Sequence, residues 1–235
     1  KSKSFLCDVR NKKKMTEIIN NTSVIINLAA EHRDDVKPLS LYHDVNVKGA
    51  KNICEVASEK KIQSIIFTSS VAVYGLSDDE SNEESILNPF NEYGKTKREA
   101  EIIFKNWQQD DPKNRRLIII RPTVVFGKEN RGNVYNLFKQ ISENKFIMIG
   151  NGKNIKSIAY VENLASFISS TLLLKNGIYV FNYADKPDLS MNELVDITKK
   201  NLGIKTKLNF KIPYFLGVLV GYFFDMISLL FSKNF

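Results

Sequence analysis

The sequence predicts an α/β fold in which helices cover both faces of a doubly wound parallel sheet, next to a smaller α/β region. Runs of apolar, mostly β-branched residues alternate along the chain with segments of helical periodicity. Such runs are typical of strands buried on both faces, and their alternation with helices favours a parallel sheet. With 43% hydrophobic residues among 235, the chain can build a sizeable core.

The first half of the chain contains clear strand and helix signals. Residues 24–28 form a short apolar run that ends in small residues, as a buried strand does. Residues 41–58 carry Val45, Ile53 and Val56 at helical spacing. The further elements predicted here are a strand at residues 65–68, a helix at residues 92–107 and a strand at residues 117–120 that Pro122 stops.

The second half repeats the alternation less regularly. Ser190 is typical of an N-cap, and Glu193 three positions later completes a capping box, so a helix is predicted to begin there. The other elements predicted here are a helix at residues 134–141, a strand at residues 157–160, a helix at residues 163–174 and a strand at residues 179–183.

Charge and cysteine content narrow the function classes. The net charge of +8 suits a phosphorylated ligand or an anionic membrane surface. The lysines are spread out and no aromatic residues interleave with them, so we expect no nucleic-acid partner. Cys7 and Cys54 imply no disulfide framework and show no metal-ligand spacing, so we expect a reducing compartment and no metal site.

The pair of Tyr93 and Lys97 is the first candidate for chemistry. Four residues apart on a predicted helix, the two side chains share one face. Because an ammonium beside a phenol favours the phenolate, we expect Lys97 to lower the pKa of Tyr93 and Tyr93 to act as a general base. Taken alone, the spacing also fits an exposed helix pair.

Ser70 supports the chemical interpretation, because it follows a predicted strand. Ligands of an open α/β sheet bind beyond the carboxyl ends of its strands. From such a position Ser70 can hydrogen-bond the same substrate hydroxyl as Tyr93. The alternative for Ser70 is a turn residue at the end of a strand.

Several motifs occur together in the order typical of one enzyme family. They are Asn27-Leu28-Ala29-Ala30, Val45-Asn46-Val47-x-Gly49, Ser69-Ser70-x-x-Val73-Tyr74-Gly75, Tyr93-x-x-x-Lys97 and Arg121-Pro122. In these motifs the chain resembles the extended short-chain dehydrogenases, a family of sugar-nucleotide epimerases, dehydratases and reductases. Residues 29–36, 131–137, 156–161 and 185–189 further resemble the bacterial branch of 4-epimerases that act on N-acetylglucosamine-diphosphate-undecaprenol.

The resemblance implies a Rossmann-type sheet, an NAD cofactor and a role for each matching residue. Tyr93 would be the acid/base, Lys97 would also bind the nicotinamide ribose, and Ser70 would hold the sugar 4-hydroxyl. The implied cofactor-binding residues, besides Tyr93 and Lys97, are Asp8 near the adenine at the end of a strand, its neighbour Val9, then Leu28, Ala29, Ala30, His32 and Asn46.

The resemblance also implies how the substrate is held. Its diphosphate would face the amino end of a helix that begins at Asn133, and Arg131 and Lys156 would be the candidate cations. Residues 1–127 would form an incomplete dinucleotide-binding domain and residues 128–235 a substrate-binding region, partly interleaved. The resemblance also implies a possible homodimer, which relatives commonly form through the helices at residues 41–58 and 92–107.

One feature of the family is missing from the sequence. No glycine-rich strand-turn-helix of the form G-x-x-G-x-x-G precedes Asp8. We interpret the sequence as a truncated product or a fragment that lacks the first strand of the sheet. On this interpretation the chain alone would bind NAD poorly and fold marginally, because losing a central strand exposes backbone edges.

The apolar segment at residues 212–231 is long enough to cross a bilayer. Asp225, Pro213 and Gly217 interrupt it, which favours an amphipathic helix of the substrate-binding region. An intermediate interpretation is a helix in the membrane interface beside a lipid-linked substrate. Together with the basic charge, it predicts a cytoplasmic protein that is peripheral on the inner face of the cell membrane.

The leading hypothesis is a 4-epimerase that inverts N-acetylglucosamine to N-acetylgalactosamine on undecaprenyl diphosphate by transient C4 oxidation, for surface polysaccharides such as O-antigen. One alternative is a 4-epimerase or 4-ketoreductase of a UDP-sugar, which would use the same three residues. The other is an inactive remnant or a membrane-associated binding module, which the missing glycine motif would suit.

Overall fold

The structure is a computed structural model that describes residues 3–20, 22–33, 35–77, 80–204, 211–219 and 221–222. The chain divides into two compact units. The first unit comprises residues 1–123 and 162–184, and the second comprises residues 124–161 and 185–235. The chain therefore crosses from the first unit to the second near the predicted boundary at residue 127, and residues 162–184 return to the first unit.

The first unit contains a parallel sheet of four strands. In chain order, and in the same order across the sheet, these are β1 (Val24–Asn27), β2 (Ser64–Thr68), β3 (Arg116–Pro122) and β8 (Gly177–Tyr183). All four were predicted. Strand β3 extends beyond the predicted residues 117–120 and includes Pro122 as its last residue. Since proline has no N–H to continue the ladder, the strand ends there.

The helices before β2 depart from the predicted regular helix at residues 41–58. Helix α1 (Lys12–Ile18) precedes β1. After β1 the chain forms α2 (Ser40–Tyr42), a π-helical stretch (His43–Lys48) and α3 (Gly49–Glu59) in direct succession. Apolar periodicity does not distinguish a π-helical stretch from the α-helix around it, so the sequence predicted a single regular helix.

Two further helices connect the later strands. Helix α4 (Glu92–Gln109) lies between β2 and β3 in sequence, and helix α6 (Val161–Thr171) precedes β8. Asn91 caps α4, since its side-chain oxygen accepts a hydrogen bond from the N–H of Gly94 at 2.8 Å. Both helices were predicted, although α6 begins and ends earlier than residues 163–174.

Different helices cover the two faces of the sheet. On one face the ring of Phe67 from β2 packs against Phe104 of α4, with ring centres 4.7 Å apart. On the other face Phe181 of β8 packs against Phe167 of α6 at 5.4 Å. The predicted doubly wound fold is therefore confirmed. The first face contributes most of a large buried core formed by Met15, Ala50, Ile53, Cys54, Val56, Ala57, Ile62, Ile65, Phe67, Ala100, Phe104, Trp107, Leu117 and Ile119.

Strand β1 is an edge strand of this sheet. No strand of the described residues pairs with its outer side, and Ile26 is 44% exposed. Residues 3–8, which were predicted to end a strand at Asp8, form no strand, and Leu6 is 92% exposed. That prediction was wrong for a physical reason: a strand needs a hydrogen-bonded neighbour, and residues 3–8 have none within the described part of the chain.

The described residues of the second unit form short two-stranded ladders, helices α5 (Asn133–Ser142) and α7 (Met191–Asn201) and a short helical segment near the end of the chain. Helix α7 starts at the predicted capping box: the N–H of Glu193 donates to Ser190 Oγ, and the N–H of Ser190 donates to Glu193 Oε2 at 2.8 Å. The ladders are the pairs β4 (Val124–Phe126) with β7 (Ile158–Tyr160), β5 (Met148–Ile149) with β10 (Lys211–Ile212), and β6 (Ile155–Lys156) with β9 (Leu189–Ser190).

The predicted apolar segment at residues 212–231 is described only in part. Residues 214–219 are helical, and a Cβ at Gly217 would lie 2.5 Å from the side chain of Ile149, so this turn packs closely on β5. Residues 220 and 223–231 of the predicted segment lie outside the described residues. Within the described part of the chain, every helix is too short or too polar to cross a membrane.

Candidate active site

Tyr93 and Ser70 meet at the carboxyl edge of the sheet in the first unit. Ser70 lies just beyond the end of β2, and its Oγ accepts a hydrogen bond from the N–H of Ala72 at 3.1 Å. Tyr93 lies in the first turn of α4, and the side chain of Ser70 lies near its phenol and lowers its pKa as a hydrogen-bonding neighbour. The structure thus brings these two predicted residues together.

Gly94 allows this close approach. A Cβ at Gly94 would lie only 2.5 Å from the carbonyl oxygen of Ala72. The first turn of α4 therefore packs directly on the backbone of the segment that follows Ser70. A larger residue at position 94 would push Tyr93 away from Ser70.

Lys97 lies one helical turn after Tyr93 and is 3% exposed. Its Nζ donates to the carbonyl oxygen of Thr68 at 2.6 Å and lies 5.9 Å from the centre of the Tyr93 ring. Burial lowers the pKa of Lys97 to about 7, against the opposing effect of the Glu101 carboxylate. Lys97 thus lies one helical turn from Tyr93. Near neutral pH its side chain exists in both the ammonium and the neutral amine form.

Burial and Ser70 act in opposite directions on the pKa of Tyr93. Burial raises this pKa, and the hydrogen bond with Ser70 partly offsets the rise. Lys97 was predicted to lower this pKa, and that role stays a prediction; its ammonium donates to the carbonyl of Thr68. The contact that lowers the pKa of Tyr93 in the structure comes from Ser70, and Tyr93 is protonated at neutral pH.

Asn46 is buried in the π-helical stretch and joins three elements. Its Oδ1 accepts from the N–H of Glu31 at 2.8 Å, and its Nδ2 donates to the carbonyl of Glu31 at 3.1 Å and to the hydroxyl of Thr96 at 3.0 Å. Both amide hydrogens are therefore used within the protein. Asn46 ties the loop after β1 to α4, so its predicted relation to the cofactor would run through that loop.

Asp8 and Val9 lie before α1. The carboxylate of Asp8 pairs with Arg10 at 2.7 Å, is about half exposed, and has its pKa lowered by this hydrogen-bonded pair. Val9 packs next to Gly49, where an added Cβ would lie 2.9 Å from Val9 Cγ2. Its carbonyl accepts from Nδ2 of Asn52 at 2.9 Å. Both residues thus lie against or beside α3, without the strand that was predicted for Asp8.

Leu28, Ala29, Ala30 and His32 follow β1 directly. Leu28 is 65% exposed, Ala29 and His32 are exposed, and Ala30 is half-buried. The N–H of Ala29 donates to Oδ1 of Asn27 at 3.1 Å, which fixes the backbone where it leaves the strand. The structure therefore presents a stretch of small side chains at the carboxyl end of β1, as a nucleotide cofactor requires of a backbone it approaches.

The ammonium of Lys97 fits a ribose of the cofactor. Lys97 has three ammonium hydrogens and one hydrogen-bond acceptor within the described part of the chain, the carbonyl of Thr68. Unused donors at the carboxyl ends of the strands suit the hydroxyl groups of a bound nucleotide.

The three residues predicted to hold the substrate diphosphate belong to the second unit. Asn133 is the first residue of α5, as predicted, and Gly132 precedes it as the N-cap. Arg131 and Lys156 are exposed, the latter on β6. Their part in binding stays a prediction.

Sequence reasoning missed two buried charges beside the site. Glu101 is 0% exposed and Arg121 is 2% exposed. The guanidinium of Arg121 donates two hydrogen bonds to the carboxylate of Glu101, from Nε to Oε1 at 2.9 Å and from Nη2 to Oε2 at 2.6 Å. Arg121 was noted only as part of a motif. The spacing carried a signal for Glu101, because it lies four residues after Lys97 and therefore shares the helix face of the predicted pair.

Comparison with known proteins identifies the family. The model of the NAD dependent epimerase/dehydratase family matches residues 2–181, which is more than half of the chain. The chain belongs to this family. This family membership confirms two predictions: that the cofactor is NAD, and that the protein is an enzyme of the epimerase type.

Two relatives show where in the epimerase/dehydratase family the chain lies. The N-acetyl-alpha-D-glucosaminyl-diphospho-ditrans,octacis-undecaprenol 4-epimerase of Escherichia coli O157:H7 is 48% identical over 97% of this chain and 69% of its own length. The UDP-glucose 4-epimerase of Vibrio cholerae is 30% identical over 75% of this chain. The chain spans 56% of the length of that second relative.

Solved structures confirm the Rossmann-type fold of the epimerase/dehydratase family. The UDP-glucuronic acid 4-epimerase of Bacillus cereus, in complex with NAD, has a TM-score of 0.74 at 22% identity and covers 88% of this chain and 67% of its own. The UDP-glucose 4-epimerase of Thermotoga maritima also has a TM-score of 0.74, at 17% identity, with 88% and 70% covered.

Proposed function

We propose that the protein is an NAD-dependent 4-epimerase that interconverts N-acetylglucosamine and N-acetylgalactosamine on undecaprenyl diphosphate, for the assembly of a surface polysaccharide. The observation that carries this proposal is the contact between Tyr93 and Ser70 beside the buried Lys97. It occurs in a chain that is 48% identical to the E. coli enzyme over nearly its whole length. The identity to the UDP-glucose 4-epimerase is lower, at 30%, and supports a UDP-sugar substrate less well.

The proposed chemistry moves one proton between the substrate and Tyr93. Ser70 orients the 4-hydroxyl of the sugar, and the phenolate oxygen of Tyr93 accepts its proton and later returns it. Because burial raises the pKa of Tyr93, the phenolate needs positive charge nearby. Lys97 in its ammonium form provides such a charge one helical turn away.

The cofactor would be held by residues at the carboxyl ends of the strands. Lys97 would bind a ribose, and Ala29 and Ala30 would let the backbone approach the cofactor. When bound, NAD would supply the hydride acceptor and donor for C4 of the sugar, and its cationic nicotinamide would favour the phenolate of Tyr93. Asp8, Val9, Leu28, His32 and Asn46 are proposed to line the same cofactor.

The second unit is proposed to bind the rest of the substrate. The helix that begins at Asn133 offers unpaired N–H groups to a diphosphate, and Arg131 lies just before it. Lys156 would add a third positive group, with a single point charge rather than the bidentate grip of arginine. The first unit would hold the dinucleotide.

We also propose that the protein is cytoplasmic, works at the inner membrane surface and forms a homodimer through α3 and α4. The net charge of +8 favours an anionic leaflet, and Tyr214, Phe215 and Tyr222 are between 63% and 72% exposed. On α4, Ile102 is 49% exposed and supports a helix-mediated dimer. Sedimentation of the full-length protein would show a dimer, and a concentration-independent monomer would contradict this part of the proposal.

Offering two substrates side by side tests the proposed function. The purified full-length protein is given N-acetylglucosamine-diphosphate-undecaprenol or UDP-N-acetylglucosamine, with catalytic NAD, and the released sugars are quantified. We expect N-acetylgalactosamine from the lipid-linked substrate, without net use of added NADH. Faster conversion of the UDP-sugar would reassign the carrier, and stoichiometric consumption of NADH would indicate a reductase.

A further inference from the structure

Glu101 and Arg121 form a buried ion pair directly beneath the proposed site. Arg121 on β3 donates to both carboxylate oxygens of Glu101 on α4, at 2.9 and 2.6 Å. Glu101 follows Lys97 by one turn and Tyr93 by two turns, so all three side chains lie on one face of α4. The pair therefore joins the helix that carries the proposed catalytic groups to the central strand of the sheet.

The same pair also holds the strand end that carries Ser70. Ser69 is only 2% exposed, and its hydroxyl donates a hydrogen bond to Glu101 Oε1 at 2.6 Å. The N–H of Ser69 donates to the carbonyl of Ile120 at 2.7 Å, so both its backbone and its side chain are fixed. Ser70, the next residue, is thereby held between Glu101 on one side and its contact with Tyr93 on the other.

Arg121 extends the network to the segment after Ser70. Its Nη1 donates to the hydroxyl of Tyr74 at 2.7 Å, and that hydroxyl donates to Oδ1 of Asn182 on β8 at 2.7 Å. Two strands and one helix thus hold the segment from Ser69 to Tyr74 at both of its ends. This segment contains Ser70 and the carbonyl of Ala72 on which Gly94 packs.

Net stability is a weak explanation for such a pair. Removing two charges from water costs about as much as their attraction returns, and apolar replacements of buried pairs are often as stable. A fully bonded polar network does fix geometry, because each of its members has one preferred arrangement. Geometry is what a proton transfer between Tyr93 and a substrate hydroxyl requires.

We propose that Glu101 and Arg121 are positioning residues of the epimerase, which act through Ser69 and Tyr74 to hold Ser70 in hydrogen-bond contact with Tyr93. This inference rests on the proposed function for its effect on turnover. The network itself touches neither substrate nor cofactor in this account. Its effect is to set the place of Ser70 relative to α4.

Ser69→Ala is the sharpest test, because it removes one hydroxyl and no charge and leaves the ion pair intact. In the full-length protein we expect kcat to fall by roughly tenfold or more, as for a small misplacement of a reacting group, while KM stays within about twofold. We also expect the pKa of Tyr93 to rise, because a released Ser70 stabilises the phenolate less. Carbon-13 NMR of the tyrosine Cζ atoms follows this pKa, with Tyr93→Phe to assign the signal.

Three companion variants complete the test. Ser69→Thr keeps the hydroxyl and should restore much of the turnover lost in Ser69→Ala. Glu101→Gln should lower kcat as Ser69→Ala does. Glu99→Gln is the matched control for Glu101→Gln on the same helix: its carboxylate is exposed and lies outside the network, and we expect wild-type behaviour.

Wild-type kcat and an unchanged pKa of Tyr93 in Ser69→Ala would overturn the proposal. The ion pair of Glu101 and Arg121 would then have only a structural role. If Glu101→Gln fails to fold, Ser69→Ala alone decides in the same way. The Tyr93 titration needs no substrate. A wild-type protein without epimerase activity would therefore refute the proposed function, and the titration would still decide the positioning role.

Discussion

At the scale of single residues, burial shifts the pKa values of Lys97 and Tyr93 in opposite directions. Burial disfavours the charged form of both, so it raises the pKa of Tyr93 and lowers that of Lys97 to about 7. A solvated lysine would supply a charge at all relevant pH values, but a buried one can lose it near neutrality. The pair therefore depends on its surroundings for the ionised phenol, and Ser70 is the contact that favours it in the structure.

Lys97→Met tests the burial of this lysine through protein stability. The pKa of Lys97 is lowered from 10.5 in the unfolded chain to about 7 in the folded one. Between these values the unfolded chain binds more protons, so stability should rise with pH in that window. The wild-type free energy of unfolding should increase by about 2 kcal/mol more than that of Lys97→Met between about pH 7 and pH 9.

Urea unfolding at a series of pH values measures this difference. Comparison with Lys97→Met removes the contributions of the other titrating groups, which both proteins share. Parallel stability curves for the two proteins would show that Lys97 titrates as it does in water.

At the scale of elements, helix α4 carries most of the proposed chemistry. Tyr93, Lys97 and Glu101 occupy one face of it at successive turns, and Thr96 on the next face anchors Asn46. A close contact with backbone helps to set its amino end, because Gly94 packs on the carbonyl of Ala72. The placement of the whole helix therefore decides whether Tyr93 reaches Ser70.

Gly94→Ala tests this placement. The added methyl group would lie 2.5 Å from the carbonyl oxygen of Ala72 and must displace the first turn of α4. We expect turnover to fall by roughly a hundredfold and stability by about 1–3 kcal/mol. Lys95→Ala, an exposed position in the same turn, is the control and should keep near wild-type turnover in the same assay. Equal turnover in Gly94→Ala would contradict the role of this contact.

The elements were more predictable from sequence than their contacts. The strands of the first unit and helix α4 follow apolar periodicity, so their approximate bounds were predicted. Periodicity does not reveal the π-helical stretch around Asn46, nor that residues 3–8 have no pairing partner and form no strand. The network of Glu101 and Arg121 was missed because a buried ion pair joins residues 20 positions apart, and nothing local marks its partners.

At the scale of the whole molecule, charge and exposed aromatic residues support work at a membrane surface. The protein carries a net charge of +8, and Phe215 and Tyr222 of the second unit are 63% and 69% exposed. Electrostatic attraction to anionic lipid is screened by salt, whereas insertion of aromatic side chains is not. The two contributions can therefore be separated.

Co-sedimentation of the full-length protein with lipid vesicles measures membrane binding. We expect binding to vesicles that contain anionic lipid, a drop of roughly tenfold when sodium chloride rises from about 0.05 to 0.5 M, and weaker binding by Phe215→Ser. Phe90→Ser, which changes an exposed aromatic residue of the first unit, is the matched control for this assay. Equal binding to neutral vesicles at every salt concentration would contradict an electrostatic contribution.

The central claim is that Tyr93 exchanges the 4-hydroxyl proton while the hydrogen on C4 leaves and returns within one site. The most direct measurement supplies N-acetylglucosamine-diphosphate-undecaprenol deuterated at C4 to the full-length protein and to Tyr93→Phe, and determines the released N-acetylgalactosamine by mass spectrometry. We predict a product that retains deuterium at C4, and a rate in Tyr93→Phe lower by about a thousandfold, the usual order for loss of a general base. Exchange of that deuterium with water, or undiminished turnover in Tyr93→Phe, would contradict the account.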